Sequence, residues 1–186
     1  MHSLISISPM GDLEPLKEQI GMILLTEETA FALASCSARL GKEQQTKTAL
    51  KKFTGQSAPK VGRASDGEIS AFWMGPDLWM VEAPYDTNED LAHKLKAIAK
   101  TNASITEQTD GWCRFDIKGP SLSDVFERLC MANIRKMVKG DAIRTSIEHL
   151  SCFVIMRDSD HISVLGPRSS AASLHHALIV AINSAN

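Results

Sequence analysis

No run of apolar residues in this 186-residue sequence approaches the ~18 that a membrane-spanning helix needs, so no membrane role is expected. Neither charge dominates. Twenty Lys and Arg stand against 22 Asp and Glu, which excludes a chain built throughout to coat nucleic acid or an anionic surface. No Lys or Arg precedes the apolar residues of the first twelve positions, unlike a secretory signal, and the expected location is the cytoplasm. The four cysteines, Cys36, Cys113, Cys130 and Cys152, form no Cys-x-x-Cys pair. They read as reduced, mostly buried thiols. Three nucleotide and hydrolase signatures are missing: a Gly-x-Gly-x-x-Gly after a strand, a Gly-rich loop ending in Lys-Ser/Thr, and a Gly-x-Ser-x-Gly elbow. A flavin or nicotinamide site of the Rossmann kind is therefore unsupported.

What is present is average for a globular chain, with 44% apolar and 23% charged residues. Such a chain builds a core without staples, as one domain or a compact pair of subdomains. Pro9, Gly11 and Pro15 break any pattern in residues 1–20, which read as a loose N-terminal segment ahead of a single domain over 21–186. Ala30 to Ala34 reads as a buried strand and Lys42 to Phe53 as a surface helix. Ile69 to Met74 and Leu78 to Val81 flank a Gly75-Pro76-Asp77 turn as a hairpin. Thr87 to Asp90 fits a capping box before a helix with Leu91, Leu95 and Ile98 on one face.

Ala103 to Thr109 and Trp112 to Lys118 read as a second hairpin about Asp110-Gly111. In the latter strand Cys113, Phe115 and Ile117 point one way, Arg114, Asp116 and Lys118 the other. Ser121 to Asp124 reads as the cap of a helix bearing Leu122, Val125, Phe126 and Leu129. Three strands and a closing helix from Ser169 or Ser170 follow. Gly-Pro recurs at Gly75, Gly119 and Gly166, the last two between a strand and a helix. The pattern predicts an α+β fold of repeated two-strand-plus-helix units with mostly antiparallel sheets.

Candidate chemistry is sparse. A metal needs several donors converging on one point. His149 and Cys152 are near each other in sequence and His175 and His176 are adjacent, but neighbouring helical residues diverge by ~100°. His149 is expected packed or capped at a strand end, His175 at the rim of an apolar stripe and His176 in solvent. Cys113 and Cys130 sit on apolar faces, as small buried hydrophobes. The residues thus assign no catalytic, cofactor-binding or metal-binding position.

Charge is more informative. Arg39 to Arg63 holds Arg39, Lys42, Lys47, Lys51, Lys52, Lys60 and Arg63 against Glu43 alone. Ala64 to Asp90 holds Asp66, Glu68, Asp77, Glu82, Asp86, Glu89 and Asp90 and no cation. The pair reads either as two solvated faces or as a polarised surface that orients the protein against a partner. Only Phe53 interrupts the basic stretch as an aromatic, which fits nucleic acid poorly. Trp73, Trp79 and Trp112 lie in the two expected hairpins, with core packing their default and an interface anchor the alternative. The hairpin Ile69 to Val81 has apolar residues on both faces, so its second face must meet a helix, a partner or another copy.

Trp73-Met74-Gly75-Pro76-Asp77-Leu78-Trp79 resembles a stretch of the gamma subunit of heterotetrameric sarcosine oxidase. Glu107 to Trp112 with Phe115 to Pro120, Arg144-Thr145 with His149-Leu150, and Gly166 to Ser170 with Leu174 to Leu178 resemble the same family in the same order. The resemblance runs over about residues 68–182. It implies a subunit of a complex that demethylates sarcosine to glycine, reduces oxygen to hydrogen peroxide and passes the one-carbon unit to tetrahydrofolate. It implies alpha, beta and delta subunits as partners, with FAD, FMN and NAD in the large subunits and zinc in the smallest, and no cofactor in this chain. It also implies the folate-binding fold of the glycine-cleavage aminomethyltransferase, in a non-catalytic role. The alternative is a stand-alone tetrahydrofolate-binding or aminomethyltransferase-like domain, with an acid of 64–90 at the pterin and the cations of 39–63 at the glutamate tail. A homo-oligomeric binding module is a third reading.

Overall fold

A computed structural model describes residues 5–185. In chain order the elements are β1 (Lys17–Ile20), β2 (Ile23–Glu27), β3 (Phe31–Ala38), α1 (Glu43–Thr54), β4 (Ser70–Gly75) and β5 (Leu78–Pro84). There follow α2 (Tyr85–Asn88), α3 (Leu91–Ala99), β6 (Ala103–Glu107), β7 (Trp112–Lys118) and α4 (Leu122–Leu129). The last are β8 (Ala142–Ile147), β9 (Leu150–Asp158), β10 (His161–Pro167) and α5 (Ala171–Ala185). The fold is α+β, as expected, with antiparallel pairing in both sheets. None of the described helices is long and apolar enough to cross a membrane.

The described chain divides into two compact units. One comprises residues 5–29, 110–139 and 143–185; the other comprises 30–109 and 140–142. The first is built on a six-stranded sheet in the order β1-β2-β7-β10-β9-β8. Alternation along its strands gives one apolar face: Leu25, Phe115, Ile117, Val154, Ile162 and Val164 pack against Val125 and Phe126 of α4 and Leu174, Leu178 and Ile182 of α5. Each such fully buried side chain contributes about 1.5–3 kcal/mol. The helices follow the two strand–Gly-Pro junctions. Gly119 has φ +148°, and a Cβ there would lie 2.6 Å from the Met22 carbonyl oxygen, so the junction demands glycine.

The second unit is built on a four-stranded sheet in the order β4-β5-β3-β6. Small residues on one face, Ala32, Ala34, Cys36 and Ala83, allow α1 and α3 to seat closely through Ala49, Leu50, Leu91 and Leu95. Trp79 closes this core, and its indole N–H donates to the Pro59 carbonyl at 2.9 Å.

Several expectations change. The segment 1–20 was read as loose, yet within its described part Lys17–Ile20 pair with β2 as β1. Upstream of β1, the Glu27 carboxylate accepts the backbone N–H groups of Met10 (2.8 Å) and Leu16 (3.0 Å). The expected hairpin of 103–118 does not form. β6 pairs with β3, and β7 pairs with β2 and β10. Thr87 lies inside the short α2, and α3 begins after Asp90 without a side-chain cap. Ser121 takes a left-handed φ of 56° and its hydroxyl likewise accepts no capping N–H. Finally, Phe72 and Met80, on the second face of the first hairpin, are buried within the chain itself. That hairpin is therefore not an apolar surface left for a partner.

Candidate functional site

The polar side of β7 and β10 holds a buried ionic cluster. Register sets Asp116 opposite Ser163 and Arg114 opposite Leu165. Arg114 forks onto Asp116 through Nε (2.7 Å) and Nη2 (2.9 Å). The Ser163 hydroxyl donates to Asp116 Oδ1 at 2.7 Å, and His161 Nε2 lies 2.9 Å from Oδ2. Arg157 Nε in turn donates to Ser163 Oγ at 2.9 Å. Burial opposes ionisation of Asp116. The hydrogen bond from His161, the charge and hydrogen bonds of Arg114 and the Ser163 hydroxyl outweigh it, and they hold the carboxyl well below the usual carboxylate range.

A serine, a histidine and an aspartate thus meet, but not in the order of an acyl-transfer relay. In such a relay the imidazole stands between hydroxyl and carboxylate and takes the hydroxyl proton. Here both Ser163 and His161 bind the same carboxylate. The serine proton points at Asp116 and its lone pair is taken by Arg157. No imidazole stands between Ser163 and Asp116, and the arrangement clamps β7, β9 and β10 together. The sequence analysis placed Arg114 and Asp116 on the polar side of β7 but did not foresee their burial. The only sequence signal was the Arg-x-Asp spacing on one face of a strand.

The other candidates are dispersed. All four cysteines are free thiols. Burial pushes Cys36 and Cys152 up to about 12 and Cys113 up to about 11, and it raises Cys130. The thiolate is the reactive form, so these thiols are inert near neutrality. His149 is not packed at a strand end. With Glu148 it forms the exposed β8–β9 turn, at φ 65° and 47°. His175 is half-buried, 3.4 Å from Glu18 Oε1 and with its ring 5.8 Å from that of Phe115, while His176 is exposed. Among the described residues no three His, Cys, Asp or Glu side chains gather as metal ligands.

Trp79 is buried, and Trp112 packs against Phe153 with centroids 5.7 Å apart. The basic and acidic stretches touch where Lys47 Nζ lies 3.2 Å from Asp77 and 5.9 Å from the Trp79 ring centroid. A cleft of ≈ 430 Å³ is lined by Leu122, Ile134, Met137 and Val138, with Arg135 and Lys139 among its polar walls. Its volume suits a small molecule, but Arg135 is held by Asp124 at 2.7 Å and by Glu127. Lys139 likewise faces Asp158, another wall of the cleft, at 4.0 Å.

Two antiparallel sheets, each backed by helices, give the chain a fold resembling that of the aminomethyltransferases. It shares its fold with a chain of the heterotetrameric sarcosine oxidase from Corynebacterium sp. U-96, solved in complex with pyrrole 2-carboxylate. That likeness has a TM-score of 0.77 at 21% identity, over 87% of this chain and 84% of that one. It shares it too with the glycine cleavage system aminomethyltransferase T from Bartonella henselae, at a TM-score of 0.61 and 11% identity. That second likeness covers 83% of this chain but 45% of the aminomethyltransferase, so the chain spans less than half of that enzyme's length. No protein-family model matches the sequence, and no curated protein does. The resemblance carried by the Trp73–Trp79 stretch and the structural likeness point to one fold.

Proposed function

We propose that the chain is a non-catalytic structural subunit of a heterotetrameric sarcosine-oxidising flavoenzyme, in the place of its gamma subunit. The observation that carries this is the reciprocal match to a sarcosine oxidase chain, 87% of one on 84% of the other. Chemistry supports it. Ser163 and His161 both bind the Asp116 carboxylate rather than each other, and burial holds the thiols protonated. On this reading the chain works in the cytoplasm beside alpha, beta and delta subunits. It carries no flavin, nicotinamide or zinc of its own.

The test is co-expression with the flavin-bearing alpha and beta subunits and delta. The chain is expected to co-purify with them, and sarcosine-dependent hydrogen peroxide is expected only from the assembly. Sarcosine turnover by this chain alone, or its absence from the purified assembly, would overturn the proposal. Tight binding of tetrahydrofolate to the isolated chain, measured calorimetrically, would favour the stand-alone aminomethyltransferase-like reading instead.

A further inference from the structure

The second unit carries equal numbers of cations and anions but sorts them. Arg39, Lys42, Lys47, Lys51, Lys52, Lys94, Lys96 and Lys100 all lie on or beside α1 and α3. Two of the acids on that layer are spent locally, Asp77 on Lys47 and Asp90 on Lys94. Lysines in the last turn of α1, Lys51 and Lys52, are explained by the helix dipole. At the opposite corner the dipole also accounts for the charge of Lys100 at the end of α3, but not for Lys42 at the start of α1.

There the Arg39 N–H donates to Asn102 O at 2.9 Å and the Lys42 N–H to Arg39 O at 2.8 Å. The Thr46 hydroxyl lies 3.1 Å from the same Asn102 oxygen. These bonds bring residues 39–42 and 100–102 together. Lys42 is the N-cap of α1 and makes no side-chain cap, although Ser, Thr, Asp or Asn would stabilise that position and a cation opposes the dipole. Lys100 holds φ 53° and ψ −122° at the end of α3, a region that favours glycine. Between them Leu40 is 99% exposed. The Lys42 cap and the Lys100 backbone thus run against local stability, and the same corner exposes Leu40 beside Arg39, Lys42 and Lys100, with the Glu43 carboxylate turned onto the Gly41 N–H at 2.9 Å. That is the composition of a docking contact: an apolar anchor inside a charged rim.

We infer that this corner docks onto a protein surface consisting of an apolar pocket with an acidic rim. The inference deepens the proposed subunit role and rests on it, since it names the chemistry of the face that the larger subunits would offer. A nucleic acid fits less well. The corner has no aromatic side chain for base stacking, and its central group is an aliphatic anchor.

The experiment measures association of the full chain with the co-purified alpha and beta subunits at low and high salt, together with the melting temperature of each variant. Leu40→Ser, Lys42→Asp and Lys100→Gly are compared with the unchanged chain. Lys42→Asp and Lys100→Gly should each raise the melting temperature by roughly 2 °C, because the cap and the left-handed position are relieved. Both should slow association by roughly threefold to tenfold at low salt and less at high salt. Leu40→Ser should leave the melting temperature unchanged and speed dissociation by roughly tenfold. Gained stability with lost association is a signature that a merely structural role does not produce.

If the unchanged chain assembles and the three variants assemble equally well, the corner is wrong and the subunit role stands. If the unchanged chain does not assemble, the subunit role fails and the docking contact fails with it. If the variants lose affinity for mixed-sequence duplex DNA yet assemble normally, the corner is a polyanion site and the inference is overturned.

Discussion

Asp116 shows what one buried carboxylate can hold. It is 3% exposed and is bonded by Arg114, His161 and Ser163. Asp116→Ala removes the carboxylate that the buried Arg114 guanidinium forks onto, and should cost about 3–5 kcal/mol in a urea titration. The native carboxyl is depressed below its unfolded value of about 3.9. Its contribution is therefore fully present above that pH and is lost as pH falls below it. Wild-type stability should fall progressively as pH drops below about 4, and the Asp116→Ala protein should show a flatter acid limb. Gly119 and Gly166 make a paired test. At Gly119 a Cβ meets the Met22 backbone at 2.6 Å, whereas at Gly166 it meets the tip of Leu174, which can turn away. Gly119→Ala should cost about 1–3 kcal/mol, and Gly166→Ala measurably less. Equal losses by thermal melting would show that the first junction is not specially tight.

At the scale of elements, the β8–β9 turn carries a removable penalty. Glu148 and His149 both sit at positive φ, which a two-residue hairpin requires and which Asn-Gly supplies more cheaply. Replacing the pair by Asn-Gly should raise stability by about 1 kcal/mol, and an unchanged or lower melting temperature would contradict that account. Most elements were legible from period and punctuation. The runs of Cys113 to Ile117 and Cys152 to Met156, the helix of Leu122 to Leu129 and that of Leu174 to Ile182 lie where the pattern put them. Partnership was not legible. Asp110-Gly111 announces a reversal, but whether β6 returns on β7 is settled by distant chain, and β6 instead pairs with β3, about seventy residues upstream. β2 escaped because Leu24 and Leu25 break the alternation of Ile23 to Glu27. The ionic cluster escaped for the same reason as the false hairpin. Arg114 and Asp116 look like a solvated edge until β10 brings Ser163 and His161 alongside.

For the whole molecule, the proposed role gives a direct spectroscopic expectation. Protein expressed alone should be colourless after desalting and free of stoichiometric zinc. A retained flavin band, or about one zinc per chain by elemental analysis, would contradict the assignment of cofactors to other subunits. The strand order has a consequence for the making of the chain. β10 lies between β7 and β9 in the middle of its sheet, although it is the last of the described strands. The second unit draws almost wholly on residues 30–109 and can close while synthesis continues. The first cannot. Its opening strands can join β7 once residues 112–118 emerge, but the other edge of β7 must wait for residues 161–167. At ~5–20 residues per second that wait lasts about two to nine seconds. A message that ends before β10 yields a half-finished sheet with two raw edges, a product for chaperones and proteases rather than for assembly.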